Sequence, residues 1–161
     1  MAVDMFLKLD GIKGESKDKD HKDEIHIESW SWGLSQAGNF SVAGGGGAGK
    51  VNVHDISITK YLDVSSPKLM ARCADGGHIA SGLLTVRKAG GDKPVEYLKV
   101  TLTDLLVSGV QHSGSGSSDL VMESLSLNFA KFKVEYQLQD EKGKGSPGGE
   151  MGWDVKANTK L

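Results

Sequence analysis

Apolar side chains recur at alternate positions through much of this chain, but the parity of the alternation changes three times. Ile25 and Ile27 are odd-numbered whereas Trp30, Trp32 and Leu34 are even-numbered, so the apolar side changes near Glu28. The same change falls between Val51/Val53 and Ile56/Ile58, and again between Leu125/Leu127/Phe129 and Phe132/Val134/Tyr136/Leu138. Alternation at period two marks a half-buried strand, and a slip of one residue turns the whole apolar set to the other face. A sandwich with one wet face has no use for three such slips. Strands that bend at bulges around a barrel corner, or that run out of the core onto a subunit interface, require them.

The first of these strands is also the most asymmetric. Trp30, Trp32 and Leu34 share one face, while Ser29, Ser31 and Gly33 share the other. Ser124, Ser126 and Asn128 repeat the small polar theme in the strand that runs from Leu120 to Leu138. Two readings follow from the pattern: the small face meets water, or it lines a channel or a neighbour's surface.

Between the strands the chain supplies turns and one helix. Met5 to Leu9 reads as a short strand, and the run from Gly14 to Glu24 mixes charges without an apolar anchor, which fits a solvated loop, a hairpin tip or a contact rim between stacked subunits. Gln36 to Gly49 is almost free of bulky side chains, and a loop of that length in a compact domain is functional or disordered; ordering it falls to an adjacent subunit. Ser66 to Gly76 reads as a helix, with Ser66 to cap it, Pro67 at its first position, Gly76 as a left-handed stop and Leu69, Met70 and Cys73 as its apolar stripe. Ile79–Lys88 and Val95–Val107 form a hairpin, Gln111–Ser118 a flexible loop, Lys142–Glu150 a glycine-rich turn and Trp153–Lys160 a final strand.

Composition narrows the function. One domain over residues 1–161 is long enough to bury roughly 70% of its unfolded surface. A net charge of -2 with no basic stripe gives nucleic acid nothing to bind. Asp4 and Lys8 interrupt the N-terminal apolar residues, which excludes a signal peptide or membrane insertion there. Cys73 is the only cysteine, so no disulfide forms within the chain, and it is expected to be a small core residue.

Motifs of chemistry are missing as well. Gly44 to Lys50 has the spacing of a phosphate-binding loop, but Val51 stands where Ser or Thr would hold magnesium, and a strand follows instead of a helix. The five histidines show no metal-ligand spacing, and His26/Glu28 and His54/Asp55 read as polar residues on strand surfaces. No nucleophile elbow or paired carboxylate motif occurs. The expectation is no enzyme, no metal and no cofactor.

Met5-Phe-Leu-Lys-Leu, Gly14-Glu-Ser-Lys-Asp-Lys19, Ser29-Trp-Ser-Trp-Gly33, Gly44 to Lys50, Lys60-Tyr, Arg87-Lys-Ala-Gly90, Glu96-Tyr-Leu98, Leu127-Asn-Phe-Ala130 and Gly152-Trp153 follow one another along nearly the whole chain. In this order they resemble the haemolysin-coregulated protein (Hcp) family, the tube protein of bacterial type VI secretion, and among its members a plain tube subunit without a C-terminal toxin extension.

The resemblance implies a mainly β fold: a small two-sheet β-barrel with one short flanking helix and a long glycine-rich loop, assembling as a hexameric ring. It implies rings stacked into a tube inside a contractile sheath, a spike protein at the tip, effector proteins in the lumen, assembly in the cytoplasm and ejection from the cell. On that basis Trp30 and Trp32 face the core, while Ser29, Ser31, Ser124 and Ser126 face the lumen and its cargo. Gly44, Gly45, Gly46, Gly47, Lys50, Gly90 and Gly91 are the expected contacts between subunits or rings. The alternative of another class is a stand-alone small β-barrel that binds a small apolar ligand.

Overall fold

The computed structural model describes residues 3–40, 47–88, 94–140 and 144–161. Among them a nine-stranded antiparallel sheet forms the body. Its main path starts at β1 (Val3–Leu9), which pairs on one edge with the two-residue β2 (Ile25–His26). On its other edge β1 pairs with β7 (Ile79–Lys88), which leads to β8 (Glu96–Ser115), β9 (Ser118–Gln139), β10 (Gly145–Asp154) and β11 (Thr159–Lys160). A branch leaves β9 through β6 (Ile56–Tyr61) to β3 (Ser29–Ser31), while β4 (Leu34–Asn39) and β5 (Gly47–Val53) form a separate two-stranded sheet.

Each parity change coincides with a change of ladder partner. At Glu28 the chain leaves β1, the partner of β2, for β6, the partner of β3. At His54–Asp55 it passes from β5, paired with β4, to β6, paired with β3 and β9. Near Ala130 the outer edge of β9 passes from β6, which pairs with Met122 to Leu127, to β10, which pairs with Lys131 to Gln139. Opposite this point Asp104 of β8 takes the left-handed conformation (φ 51°), so both strands turn together. Leu125, Leu127 and Phe129 before the turn and Phe132 after it are all buried.

These ladders do not close into the two-sheet barrel expected from the sequence. The path from β11 to β2 is open, and no ladder joins β2 to β3. The corner is crossed instead by two backbone hydrogen bonds, Ile27 N–H to the Met5 carbonyl (3.1 Å) and Glu28 N–H to the Thr59 carbonyl (2.8 Å). The parity slip leaves neighbouring residues facing different strands there, so one continuous ladder cannot form.

Leu7, Ile25, Ile27, Ile56, Ile58, Leu84, Leu102, Leu105 and Leu127 fill a single core, each contributing about 1.5 to 3 kcal/mol by burial. Trp30 and Trp32 pack against it half-buried, and Trp32 stands edge-on to both Phe129 and Phe132. The helix α1 (Ser66–Asp75) ends at Gly76 (φ 67°) as its sequence predicts, but its cap is Ser65, not Ser66. Leu69 is the buried member of its stripe, Cys73 is half-buried and Met70 is 49% exposed. Ser66 Oγ is drawn into a buried network instead, within hydrogen-bond distance of Lys60 Nζ (3.1 Å) and Glu123 Oε1 (3.2 Å).

Several expected loops are strands. Gly and Ser alone did not break β8 and β9, which extend to Ser115 and Ser118 and leave only Gly116–Ser117 as the turn. Gly145 to Glu150 belongs to β10, with a bulge between Pro147 and Gly149. The expected glycine-rich loop is an arm built of β4 and β5, because backbone pairing needs no side chains. Its residues 41–46 lie outside the described residues. The charged run Gly14–Glu24 is solvated on one side only: its lysines are exposed, but Ser16 and His21 are buried, and it lies as a strap over Phe6 of β1.

A small polar face as the candidate functional site

β3, β6, β9 and the outer half of β8 lie side by side, and their registers align the small residues of all four. Ser29 pairs with Thr59, Thr59 with Ser124 and Ser124 with Gln111. The row two residues away runs Ser31, Ser57, Ser126 and Gly109. Residues opposite one another in an antiparallel ladder project to the same side. The intervening row, Trp30, Ile58, Leu125 and Val110, packs on the core, so the Ser and Thr rows form the outward face. Ser29, Ser31, Ser57 and Ser124 are exposed, and Thr59 and Ser126 half-buried.

A hydrogen-bonded group bounds the face at the end of β6. Ser108 sits in the β8 bulge between Val107 and Gly109; its hydroxyl donates to Asp55 Oδ2 (2.5 Å) and lies 2.8 Å from Ser126 Oγ. Asn128 Nδ2 donates to Asp55 Oδ1 at 2.8 Å, so both carboxylate oxygens have protein donors. A Cβ at Gly109 would stand 2.9 Å from Ser126 Oγ, so a side chain there would displace that hydroxyl. Asp55 is thus held by fixed dipoles instead of an opposing cation.

The arrangement does not bring together the pair His54/Asp55 singled out in the sequence. His54 and Asp55 are neighbours in sequence but turn apart: His54 Nε2 lies 3.1 Å from Ser35 Oγ, and its carbonyl accepts from Trp32 Nε1 at 2.8 Å. His26 Nε2 and Glu28 Oε1 are 3.8 Å apart and exposed. Among the described residues no group of three His, Cys, Asp or Glu side chains is placed to hold a metal ion. What the face offers is a carpet of hydroxyl and amide groups with no large apolar side chain among its Ser and Thr rows.

Of the residues singled out in the sequence, Ser29, Ser31, Ser124 and Ser126 are brought onto this one face. Gly47 opens β5 opposite Asn39, and Lys50 is exposed on the same strand. Gly44, Gly45, Gly46, Gly90 and Gly91 lie outside the described residues. Sequence reasoning missed Ser57 and Thr59, although the alternation Ile56-Ser-Ile-Thr carried the signal. It missed Ser108 and Gln111 for another reason: a bulge has no period, and Gln111 fell in a segment read as loop.

Comparison with known proteins gives this fold and face a context. Residues 6–136 match the family model described as type VI secretion system effector, Hcp. The chain is 51% identical over 160 residues to protein hcp1 of Pseudomonas aeruginosa, covering 98% of each chain. A solved type six secretion system protein superposes with a TM-score of 0.93 at 30% identity, covering 99% of this chain and 100% of that one. Hcp1 from Salmonella typhimurium superposes with a TM-score of 0.77 at 40% identity, with 100% of both chains covered.

Proposed function

Because the chain belongs to the Hcp family of type VI secretion proteins, we propose that it is a tube subunit whose small polar face lines the lumen of a hexameric ring. The observation that carries this reading is the convergence of Ser29, Ser31, Ser124 and Ser126, drawn from two distant parts of the sequence, onto one exposed face. Short hydroxyl side chains keep a bore wide. They also offer passing proteins many weak, water-exchangeable hydrogen bonds in place of an adhesive apolar patch.

The edges of that four-stranded surface favour closure into a ring. Among the described residues β3 has a ladder partner only on the β6 side, and β8 beyond Leu105 has one only on the β9 side. Free edges of this kind pair with another chain, and a heterologous contact repeated with a closing rotation makes a ring. The β4–β5 arm, including Gly44, Gly45, Gly46, Gly47 and Lys50, would bridge to a neighbouring subunit or ring, and the turn at Gly90 and Gly91 would supply a further contact. Stacked rings would form the tube, assembled in the cytoplasm inside the contractile sheath, capped by the spike and ejected with effectors in its bore.

Light scattering with negative-stain imaging of the same peak tests the assembly. Six copies of the 17.1 kDa chain, about 103 kDa, with an open centre are expected; a monomer at every concentration refutes it. The Ser31→Gln variant tests the face: the ring should persist while the set of co-purified effectors changes, and unchanged recovery from an intact ring would remove Ser31 from the cargo surface.

A further inference from the structure

The strap from Lys13 to Glu24 contains four lysines and five carboxylates, yet folding sorts them. Arg87 of β7, itself buried, pairs with Asp18 and Asp20 of the strap and with Asp4 of β1, its guanidinium 5.0 Å from the centre of the Phe6 ring. His21 also stacks on Phe6, its ring 4.4 Å from that of Phe6, with Nδ1 2.9 Å from Glu24 and Nε2 2.7 Å from Glu96 of β8. Two of the five acids, Asp18 and the still exposed Asp20 at 3.9 Å, are therefore engaged by Arg87 of the body, and Glu24 is engaged by the strap's own His21. Lys13, Lys17, Lys19 and Lys22 are all exposed, and none of them forms an ion pair with a described residue. Only Glu15 and Asp23 remain as exposed acids outside that engagement.

The strap also holds its shape. Gly14 N–H donates to the Asp23 carbonyl (2.8 Å), Ser16 N–H to the Glu24 carbonyl (3.0 Å) and Asp23 N–H to the Ser16 carbonyl (2.9 Å). It rests on the outer side of β1, β7 and β8, where Phe6, Thr85 and Lys99 follow one another across the ladders. The polar face belongs to a different part of the sheet, and both parts turn their inner sides to one core. We infer that the strap is a preorganised basic ridge that docks an acidic protein surface. On a chain of net charge -2, four exposed lysines without an ion pair, against three exposed acids (Glu15, Asp20 and Asp23), give one ordered segment a locally basic surface that the overall charge conceals. Their backbone is fixed before the partner arrives, so little ordering entropy is lost on binding, and charge complementarity speeds encounter and sets orientation.

The test uses the full chain and a fluorescein-labelled Glu-Ser repeat peptide, with anisotropy read at low and at physiological ionic strength. Wild type should bind in a salt-sensitive manner, and Lys17→Gln/Lys19→Gln/Lys22→Gln should weaken binding by about tenfold. Removing the same charge elsewhere, with Lys68→Gln/Lys144→Gln/Lys160→Gln, should leave the affinity near that of wild type. Equal losses in the two variants would reduce the effect to net charge and overturn the inference. So would absence of peptide binding by wild type, an undiminished affinity in the strap variant, or stronger binding to phosphatidylserine vesicles than to the peptide. Circular dichroism of each variant confirms that the comparison is between folded proteins.

Discussion

Replacing Glu123 by Gln changes little in size but removes one charge from a network with no exposed side chain at its centre. Lys60 and Glu123 are both 0% exposed, and Lys60 Nζ lies 2.7 Å from Glu123 Oε1, 2.8 Å from Asp63 Oδ1 and 3.1 Å from Ser66 Oγ. Glu123 Oε2 is 2.5 Å from His112 Nε2, so the network ties α1 to β6, β8 and β9. Breaking a buried ion pair from one side costs about 3 to 5 kcal/mol, because the remaining charge is left in a poorly solvating site. Asp63 still faces Lys60 in the variant, which puts the expectation near the lower end, about 3 kcal/mol. With a urea m-value of about 1 to 3 kcal/mol/M, the midpoint should fall by about 1 to 3 M. Tryptophan fluorescence would follow unfolding at one fixed protein concentration, since assembly adds to apparent stability. Lys60→Met combined with Glu123→Leu removes the buried pair but leaves Asp63 without its cation, and should recover part of the loss. A single-variant cost below about 1 kcal/mol, or a double variant whose cost equals the sum of the singles, would refute the coupling.

Other perturbations probe separate parts of the fold. A hydrogen bond from Arg87 holds the Asp18 carboxyl below its ordinary value of 3.8, so its stabilisation is complete above that value and is lost as pH falls through the lower folded value. Urea midpoints should therefore fall on acidification below about pH 4, and Asp18→Asn should flatten that part of the profile; an unchanged profile would exclude the strap as a contributor. Gly14→Ala places a Cβ 2.6 Å from Ile25 Cα and closer still to the Glu24 carbonyl, both backbone atoms. It should cost about 1 to 3 kcal/mol and expose the strap to proteolysis, read by limited digestion and mass spectrometry. Phe132→Ala empties a site that is 1% exposed and removes one partner of Trp32; about 3 to 5 kcal/mol should be lost in the same urea assay.

The sequence was legible where a short-range rule had no competitor. The helix was legible from Pro67, Leu69 and Gly76: Leu69 is buried and Gly76 ends it in the left-handed conformation, while the cap at Ser65 moves Pro67 from the first helical position to the second. The parity slips at Glu28, His54–Asp55 and Ala130 were visible in residue numbers alone. Their meaning was not, because parity reports that a strand changes sides but not which partner it gains. The barrel expectation failed at Ile27–Glu28 for this reason: a corner lies there as the parity requires, but two hydrogen bonds cross it and no ladder closes it. Glycine content misled in β8, β9, β10 and the β4–β5 arm, since low propensity is overridden when each backbone group has a cross-strand partner.

The candidate face and the strap fail to show in sequence for opposite physical reasons. The face is built from residues with weak individual signals, and only the register of four strands makes Ser31, Ser57 and Ser126 neighbours. The strap has a strong signal that averages to nothing: Lys17, Asp18, Lys19 and Asp20 alternate in sign, so composition reads it as neutral. What separates the charges is the buried Arg87, far away in sequence, together with the strap's own buried His21. Arg87 draws Asp18 and Asp20, and His21, seated on Phe6, is bracketed by Glu24 and Glu96. Burial of a cation such as Arg87 demands paired carboxylates, and a strap that turns Asp18 and Glu24 inward leaves its lysines to the solvent side. The exposed charge pattern is therefore set by what the interior requires of Asp18 and Asp20, and it changes if Arg87 changes even though no surface residue has been touched.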